Sequence, residues 1–211
     1  MSLQQVPHEF KRFMAREAML DDELWTAAWL RAESHREDQE GDRYAENLKR
    51  KFAEQEFSSM KRRCKGQYGP RCMCIVTVWM DWDNVKHLVP RSVVGTLDLS
   101  IRRLSLGETF PGERVRPPFF CRIEGTRHNS TYGYIANLCV AKSARCQGIA
   151  TSMMKFTIEL AKASGVEQVY AHVHRHNRSA RELYSKLGFK IVAEATDQLE
   201  EEKQYLLCLD I

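Results

Sequence analysis

A chain of 211 residues is long enough to bury a sizeable core and short enough to be a single domain over 1–211. With 43% hydrophobic and 28% charged residues it has ordinary globular composition, and no stretch approaches the ~20 apolar residues of a membrane span, nor is a secretory signal read at its start. A net charge of +4 suits an anionic ligand without selecting one, and seven cysteines with no CxxC spacing fit a reducing compartment. Residues 1–19 carry Lys11, Arg12 and Arg16 among scattered apolar residues and are expected to be poorly ordered. Asp21 and Asp22 form a candidate N-cap pair for a helix through Leu24, Trp25, Ala28 and Leu30. After a polar connector over 33–42, a second helix is predicted from Arg43, with Tyr44, Leu48 and Phe52 on one face. It ends in Lys61, Arg62, Arg63, Cys64 and Lys65 before Gly66. That basic cluster reads as a solvated helix end complementing the dipole, with phosphate or nucleic-acid binding as the weaker reading.

Two strands rich in β-branched residues follow, over 72–80 and 93–101, and their short separation predicts an antiparallel pair. The connection over 104–131 contains Gly107, Pro111, Gly112, Pro117 and Pro118, and its length predicts a loop beside an active site. A strand over 134–140 breaks at Lys142, Ser143 and Ala144. Apolar residues then recur at 149, 153, 156 and 160, one face of a helix that Gly165 stops. A strand, tight loop and helix with Gly148 at the helix start aims backbone N–H groups and the positive end of the dipole at one point. Such a loop suits an anion such as a diphosphate. Then come a strand over 168–174, a helix over 177–187 with Ala180, Leu183, Tyr184 and Leu187 on one face, and Gly188 as its stop. Strands over 189–193 and 204–209, joined by an acidic turn at 197–202, complete an α/β fold with a mixed sheet.

Two patterns carry chemistry. Arg145, Gly148 and Ala150 match Arg/Gln-x-x-Gly-x-Gly/Ala. Asn177, Ala180 and Tyr184 match Asn-x-x-Ala-x-x-x-Tyr, followed by Leu187-Gly188-Phe189. Seven residues at ~1.5 Å rise place Tyr184 about 10 Å along the helix from a capping Asn177, so one helix can hold an extended ligand and offer it a phenol. Taken singly, the loop also reads as an ordinary turn, Asn177 as a plain cap and Tyr184 as a core residue.

With both patterns in this order, the chain resembles the GNAT superfamily of N-acyltransferases over 72–211, and more loosely over its first two helices. The resemblance implies a GNAT fold, a mixed and mostly antiparallel central sheet flanked by helices, and acetyl-CoA as cosubstrate. The diphosphate of acetyl-CoA would lie on Arg145, Cys146, Gln147, Gly148, Ile149, Ala150 and Thr151. Its pantetheine would pair with Leu138, Cys139 and Val140, Asn177 would contact the arm, and Tyr184 would protonate the leaving thiolate. An amine attacking the thioester directly needs positioning, an oxyanion donor such as a backbone N–H of the central strand, a base and an acid.

His172, His174 and His176 alternate and would share one face of a strand. A zinc site is the weaker reading because no acidic partner lies nearby, and no metal is expected. By their spacing from Asn177 and Arg145, His172 and Tyr134 are similar to the residues with which N-terminal α-amine acetyltransferases order a proton-accepting water. Residues 1–65 and the long connection look most like plant plastid-type GNAT proteins, which act on α-amines and lysines. That likeness implies the plastid stroma, with the cytoplasm otherwise. Expected partners are protein or peptide substrates, with neither membrane nor nucleic acid and a monomeric state. Two further readings stay open: a GNAT enzyme for a small amine such as a polyamine, and a module that holds CoA without catalysis.

Proton energetics separate the acceptors. Deprotonation at pH 7 costs about 4.6 kcal/mol for a lysine of pKa ~10.4 and about 1.1 kcal/mol for an α-amine of ~7.8. The central strand offers no Asp or Glu between Tyr132 and Val140, only Tyr132, Tyr134 and Asn137 as polar side chains. A mild base made by Tyr134 and His172 therefore favours the α-amine, with Glu108, Glu113 and Glu124 as the reserve bases.

Overall fold

The computed structural model describes residues 7–35, 44–66, 71–80, 93–105, 107–113, 131–195 and 204–211. The chain forms two compact units, one of Met1–Ser100 with Ile135–Leu160 and the other of Ile101–Tyr134 with Ala161–Ile211. The reserve base Glu124 and the acidic turn over 197–202 lie outside the described residues, as does most of the long connection.

The first unit begins with a correction. Residues expected to be poorly ordered form a hairpin, β1 (His8–Phe10) and β2 (Phe13–Glu17), with Phe10 opposite Phe13 and Lys11 left-handed in the turn at φ 51°. β2 pairs antiparallel with β3 (Arg71–Trp79), Phe13 facing Trp79 and Glu17 facing Ile75. Phe13 and Ala15 are buried while Met14, Arg16 and Glu17 are less so, an alternation too short to stand out in the sequence.

Helix α1 (Asp21–His35) starts as predicted, but its cap is Glu23 and not the Asp21–Asp22 pair. The Glu23 carboxylate accepts from the N–H groups of Met19 (2.9 Å) and Leu20 (3.2 Å) and pairs with Arg16. Burial opposes the charge on Glu23, but these partners outweigh it and hold its carboxyl below the usual value. Asp21 is instead held by Lys61 at 2.7 Å and by Lys65.

Helix α2 (Ala45–Lys65) does not bury the predicted face. Tyr44 and Leu48 are exposed at 70% and 38%, whereas Ala45, Ala53 and Met60 are buried. Ala53, Phe57, Met60 and Cys64, spaced +4, +3, +4, make the packed stripe. Met60, Phe57 and Cys64 meet Leu24, Ala27 and Ala28 of α1 and Cys74, Val76 and Val78 of β3. The basic helix end is committed to internal ion pairs: Lys61 and Lys65 hold Asp21, and Arg63 pairs with Glu56 (3.1 Å) and Asp98 (3.2 Å).

Within this unit the strand order is β1-β2-β3-β4-β5, with β4 at Val93–Arg103 and β5 at Thr131–Val140. Cys74 touches Thr96 and Cys72 touches Ser100, so β3 and β4 run antiparallel, as predicted. At the buried centre the Arg31 guanidinium grips Asp98 with two bonds, of 2.7 and 3.0 Å. It also donates to Thr96 (2.9 Å) and Glu56 (2.7 Å). Asp98 accepts in addition from Asn137 Nδ2 at 3.0 Å. Burial opposes the charge on Asp98, but Arg31, Asn137 and Arg63 hold its carboxyl below the usual range.

Helix α3 (Ile149–Ala163) lies so close to β4 that a Cβ on Gly95 would meet Met153 Sδ at 2.7 Å and Ile149 Cγ2 at 3.2 Å. Met153 and Ile149 are buried and have little room to move. Gly95→Ala should therefore cost about 1–3 kcal/mol by overpacking. A thermal melt should show a Tm lower by several degrees. A variant as stable as the parent would show that α3 can shift outward.

The second unit has the strand order β4-β5-β6-β8-β7, with β6 at Gln168–His174, β7 at Lys190–Ala195 and β8 at Gln204–Asp210. Tyr132 meets Tyr170 and Tyr134 meets His172, so β5 and β6 advance together and are parallel. β8 inserts antiparallel between β6 and β7, with a register shift between Ile191 and Ala193. Tyr132, Tyr170, Leu206 and Cys208 form its core, with Leu104 and Phe110 of the long connection packed against them.

Candidate active site

The loop after β5 takes the shape its glycine predicts. After Val140 the chain makes a tight turn at Lys142–Ala144, and the Ala141 N–H returns to the Val94 carbonyl at 2.8 Å. Arg145 Nε donates to the Val140 carbonyl at 3.1 Å, and Lys11 Nζ reaches the Gln147 carbonyl at 3.4 Å. Cys146 and Gly148 are left-handed, at φ 61° and 87°, and the Gly148 carbonyl accepts the Ser152 N–H as α3 begins. A Cβ on Gly148 would meet only Phe10 Cε2, at 3.9 Å, so it is the backbone angle that favours glycine and the space before the loop is open.

No acidic side chain occupies the first turn of α3, and helix geometry leaves its leading amides without intrahelical acceptors. This bare, positive helix start fits a diphosphate. Ile149 is buried in the core, while Ala150 and Thr151 are partly exposed. Leu138, Cys139 and Val140 are partly buried, and burial raises the Cys139 thiol above its usual value.

In the second unit the Tyr134 hydroxyl and His172 Nδ1 are hydrogen-bonded at 2.8 Å, with the donor set by the histidine tautomer. Arg102 lies over the Tyr134 ring, 4.3 Å from its centroid. Desolvation of the imidazole, then the Arg102 charge, pushes the His172 pKa below its ordinary 6.5. Desolvation raises Tyr134 above 10.0, although Arg102 opposes it. At neutral pH both members are therefore uncharged, a pair able to take one proton through water.

Asn177 caps α4 (Arg178–Lys186), its Oδ1 accepting the Ala180 N–H at 3.0 Å. Tyr184 is buried, with its ring 5.2 Å from that of Phe189. The plain readings of Asn177 and Tyr184 thus hold, and a chemical role for either comes in addition to them. The His174 and His176 rings sit 5.5 Å apart, and among the described residues no three His, Cys, Asp or Glu side chains converge as metal ligands. Glu113 is tied to the Thr109 N–H and hydroxyl, and those bonds lower its pKa. Glu108 accepts from the Ser105 N–H at 2.9 Å.

Sequence reasoning missed Lys11, Arg102 and Asp98. Each joins a partner more than thirty positions away, without a local pattern to mark it.

The Acetyltransferase (GNAT) family matches residues 37–189. The chain is 60% identical over 199 residues to GCN5-related N-acetyltransferase 6, chloroplastic, of Arabidopsis thaliana, a match covering 94% of this chain and 69% of that protein. GCN5-related N-acetyltransferase 7, chloroplastic, of the same plant is 28% identical over 193 residues, covering 84% and 67%. Among solved structures, Arabidopsis thaliana NAA60 in complex with acetyl-CoA matches with a TM-score of 0.56 at 19% identity, covering 94% of this chain and 98% of that one. At that identity the likeness concerns the fold.

Proposed function

The chain belongs to the GNAT acetyltransferase family and uses acetyl-CoA as cosubstrate, and from that premise we propose that it acetylates protein amines, α-amines ahead of lysines. The uncharged Tyr134–His172 pair carries this reading. It accepts the proton of an attacking amine through water, and the amine nitrogen bonds to the acetyl carbon as the carbon–sulfur bond breaks. Tyr184 returns a proton to the thiolate. The bare loop from Arg145 to Thr151 holds the diphosphate, Leu138, Cys139 and Val140 receive the pantetheine, and Asn177 contacts the arm. The relatives named chloroplastic support a plastid location.

Peptide acceptors are favoured over polyamines because the Arg102 guanidinium beside the pair repels a polycation. The deciding measurement is kcat/KM at pH 7 to 9 for two matched peptides, one with a free terminus and one blocked with a single lysine, with spermidine as the control. The free terminus should win at pH 7, and the lysine peptide should gain as pH rises. A blocked lysine peptide or spermidine that wins at pH 7 would overturn the assignment.

Gly148→Glu tests the cosubstrate site separately. It puts a side chain at a left-handed position and a negative charge where the phosphates approach. Calorimetry on the folded variant should show acetyl-CoA affinity lost, and unchanged affinity would remove the loop from the site.

A further inference from the structure

Asn137 is the one residue of β5 with positive φ, at 56°, and it lies immediately before Leu138, Cys139 and Val140. A non-glycine residue pays for this conformation unless a partner holds it there. The partner is Asp98, which takes Asn137 Nδ2 at 3.0 Å while Arg31 grips both of its carboxylate oxygens. Side-chain exposures of 4% and 5% keep water from competing for Arg31 and Asp98. Thr96, Glu56 and Arg63 complete the cluster, so Asp98 is fixed from α1, α2 and β4 at once. Nothing in the transfer chemistry requires a buried ion pair at this point. A pair of well-packed apolar residues would serve stability as well or better.

We propose that Asp98, anchored by Arg31, is a positioning residue for acetyl-CoA: it holds Asn137 left-handed and thereby sets the course of Leu138 to Val140. The proposal rests on the reading that the cosubstrate lies along that segment. An αL residue inside a strand acts as a bulge, turning the following residues out of their regular pairing and leaving backbone groups for a ligand. Without Asp98, Asn137 relaxes toward ordinary extended angles and the binding-competent course becomes a minor state. Apparent affinity then falls by the fraction of molecules that retain it.

The test is a rescue, read by calorimetry with acetyl-CoA on the full chain. Asp98→Ala, which leaves no acceptor for Asn137 Nδ2, should weaken binding on the order of tenfold, the penalty of leaving a non-glycine residue unsupported in this conformation. Adding Asn137→Gly, which takes positive φ unaided, should recover most of that affinity while the lowered Tm of Asp98→Ala remains. Recovery of affinity without recovery of Tm separates positioning from general stability. If the double variant binds as weakly as Asp98→Ala, the proposal is overturned. Should Asp98→Ala not fold, Asn137→Ala keeps the ion pair and is read alone. It should weaken acetyl-CoA by a similar factor with Tm nearly unchanged, and parental affinity in that variant overturns the proposal. Gly148→Glu in the same series distinguishes the two failures. If that variant also binds normally, the cosubstrate reading itself has failed, and if it alone loses binding, only the role of Asp98 and Asn137 has.

Discussion

Exchanging His172 for alanine should lower kcat by about 10²–10⁴-fold, the usual contribution of a general base, with acetyl-CoA affinity nearly unchanged. The imidazole is bonded to Tyr134 at 2.8 Å. Tyr134→Phe keeps the ring under Arg102 and removes only the hydroxyl, so it should slow transfer in the same direction by a smaller factor. The pH profile supplies a second readout. The His172 pKa lies below its ordinary 6.5, so the acid limb of kcat/KM should fall below that value and the imidazole is mostly neutral at pH 7. Removing Arg102 as Arg102→Gln takes away a charge that depresses the imidazole pKa and should move the limb upward. An alanine variant at position 172 with parental turnover would return both residues to the role of a surface pair.

Arg31→Leu should be the most destabilising of these single changes. It leaves Asp98 buried with its main partner gone, and breaking a buried pair in this way typically costs about 3–5 kcal/mol. Against a typical total of ~5–15 kcal/mol, that is a fifth of the stability or more. Urea unfolding should show a lower midpoint with a similar slope. The parent also carries a pH signature. Because the folded-state pKa of Asp98 lies below its ordinary 3.8, the pair contributes fully above that value and is lost as pH falls through the folded pKa. Acid unfolding of the parent should therefore include this loss, whereas in Arg31→Leu that component should shrink. A variant within about 0.5 kcal/mol of the parent, the range of ordinary surface changes, would mean that the site relaxes and admits water.

The second half of the chain was largely legible in its sequence. The strand at Gln168–His174 and the helix start at Ile149 follow from patterns whose apolar residues are mostly buried, and Gly148 and Gly165 mark turns that do require positive φ. The first half was less so, for physical reasons. In α2 the residues Tyr44, Leu48 and Phe52 compete in periodicity with Ala53, Phe57, Met60 and Cys64, and only contact with α1 and β3 decides between them. At α1 a carboxylate three residues inside the helix, Glu23, displaced the expected cap because Arg16 stands beside it. In the candidate site, Gly148 and Tyr134 could be proposed from spacing. Asp98 and Arg102 could not, because each acts on a residue more than thirty positions away.

The hairpin at the start of the chain bears on how the protein tolerates trimming. β1 has only three residues, yet among the described residues it is the last strand on its side of the sheet order, and it covers the backbone of β2. A version shortened to begin at Phe13 would leave five residues of β2 as a bare edge, with unpaired amides and carbonyls open to a second molecule. It would also lose the Lys11 cation that reaches the Gln147 carbonyl. Self-association of the shortened chain, and a loop released from its Lys11 contact, would then arise together from the removal of one short ribbon.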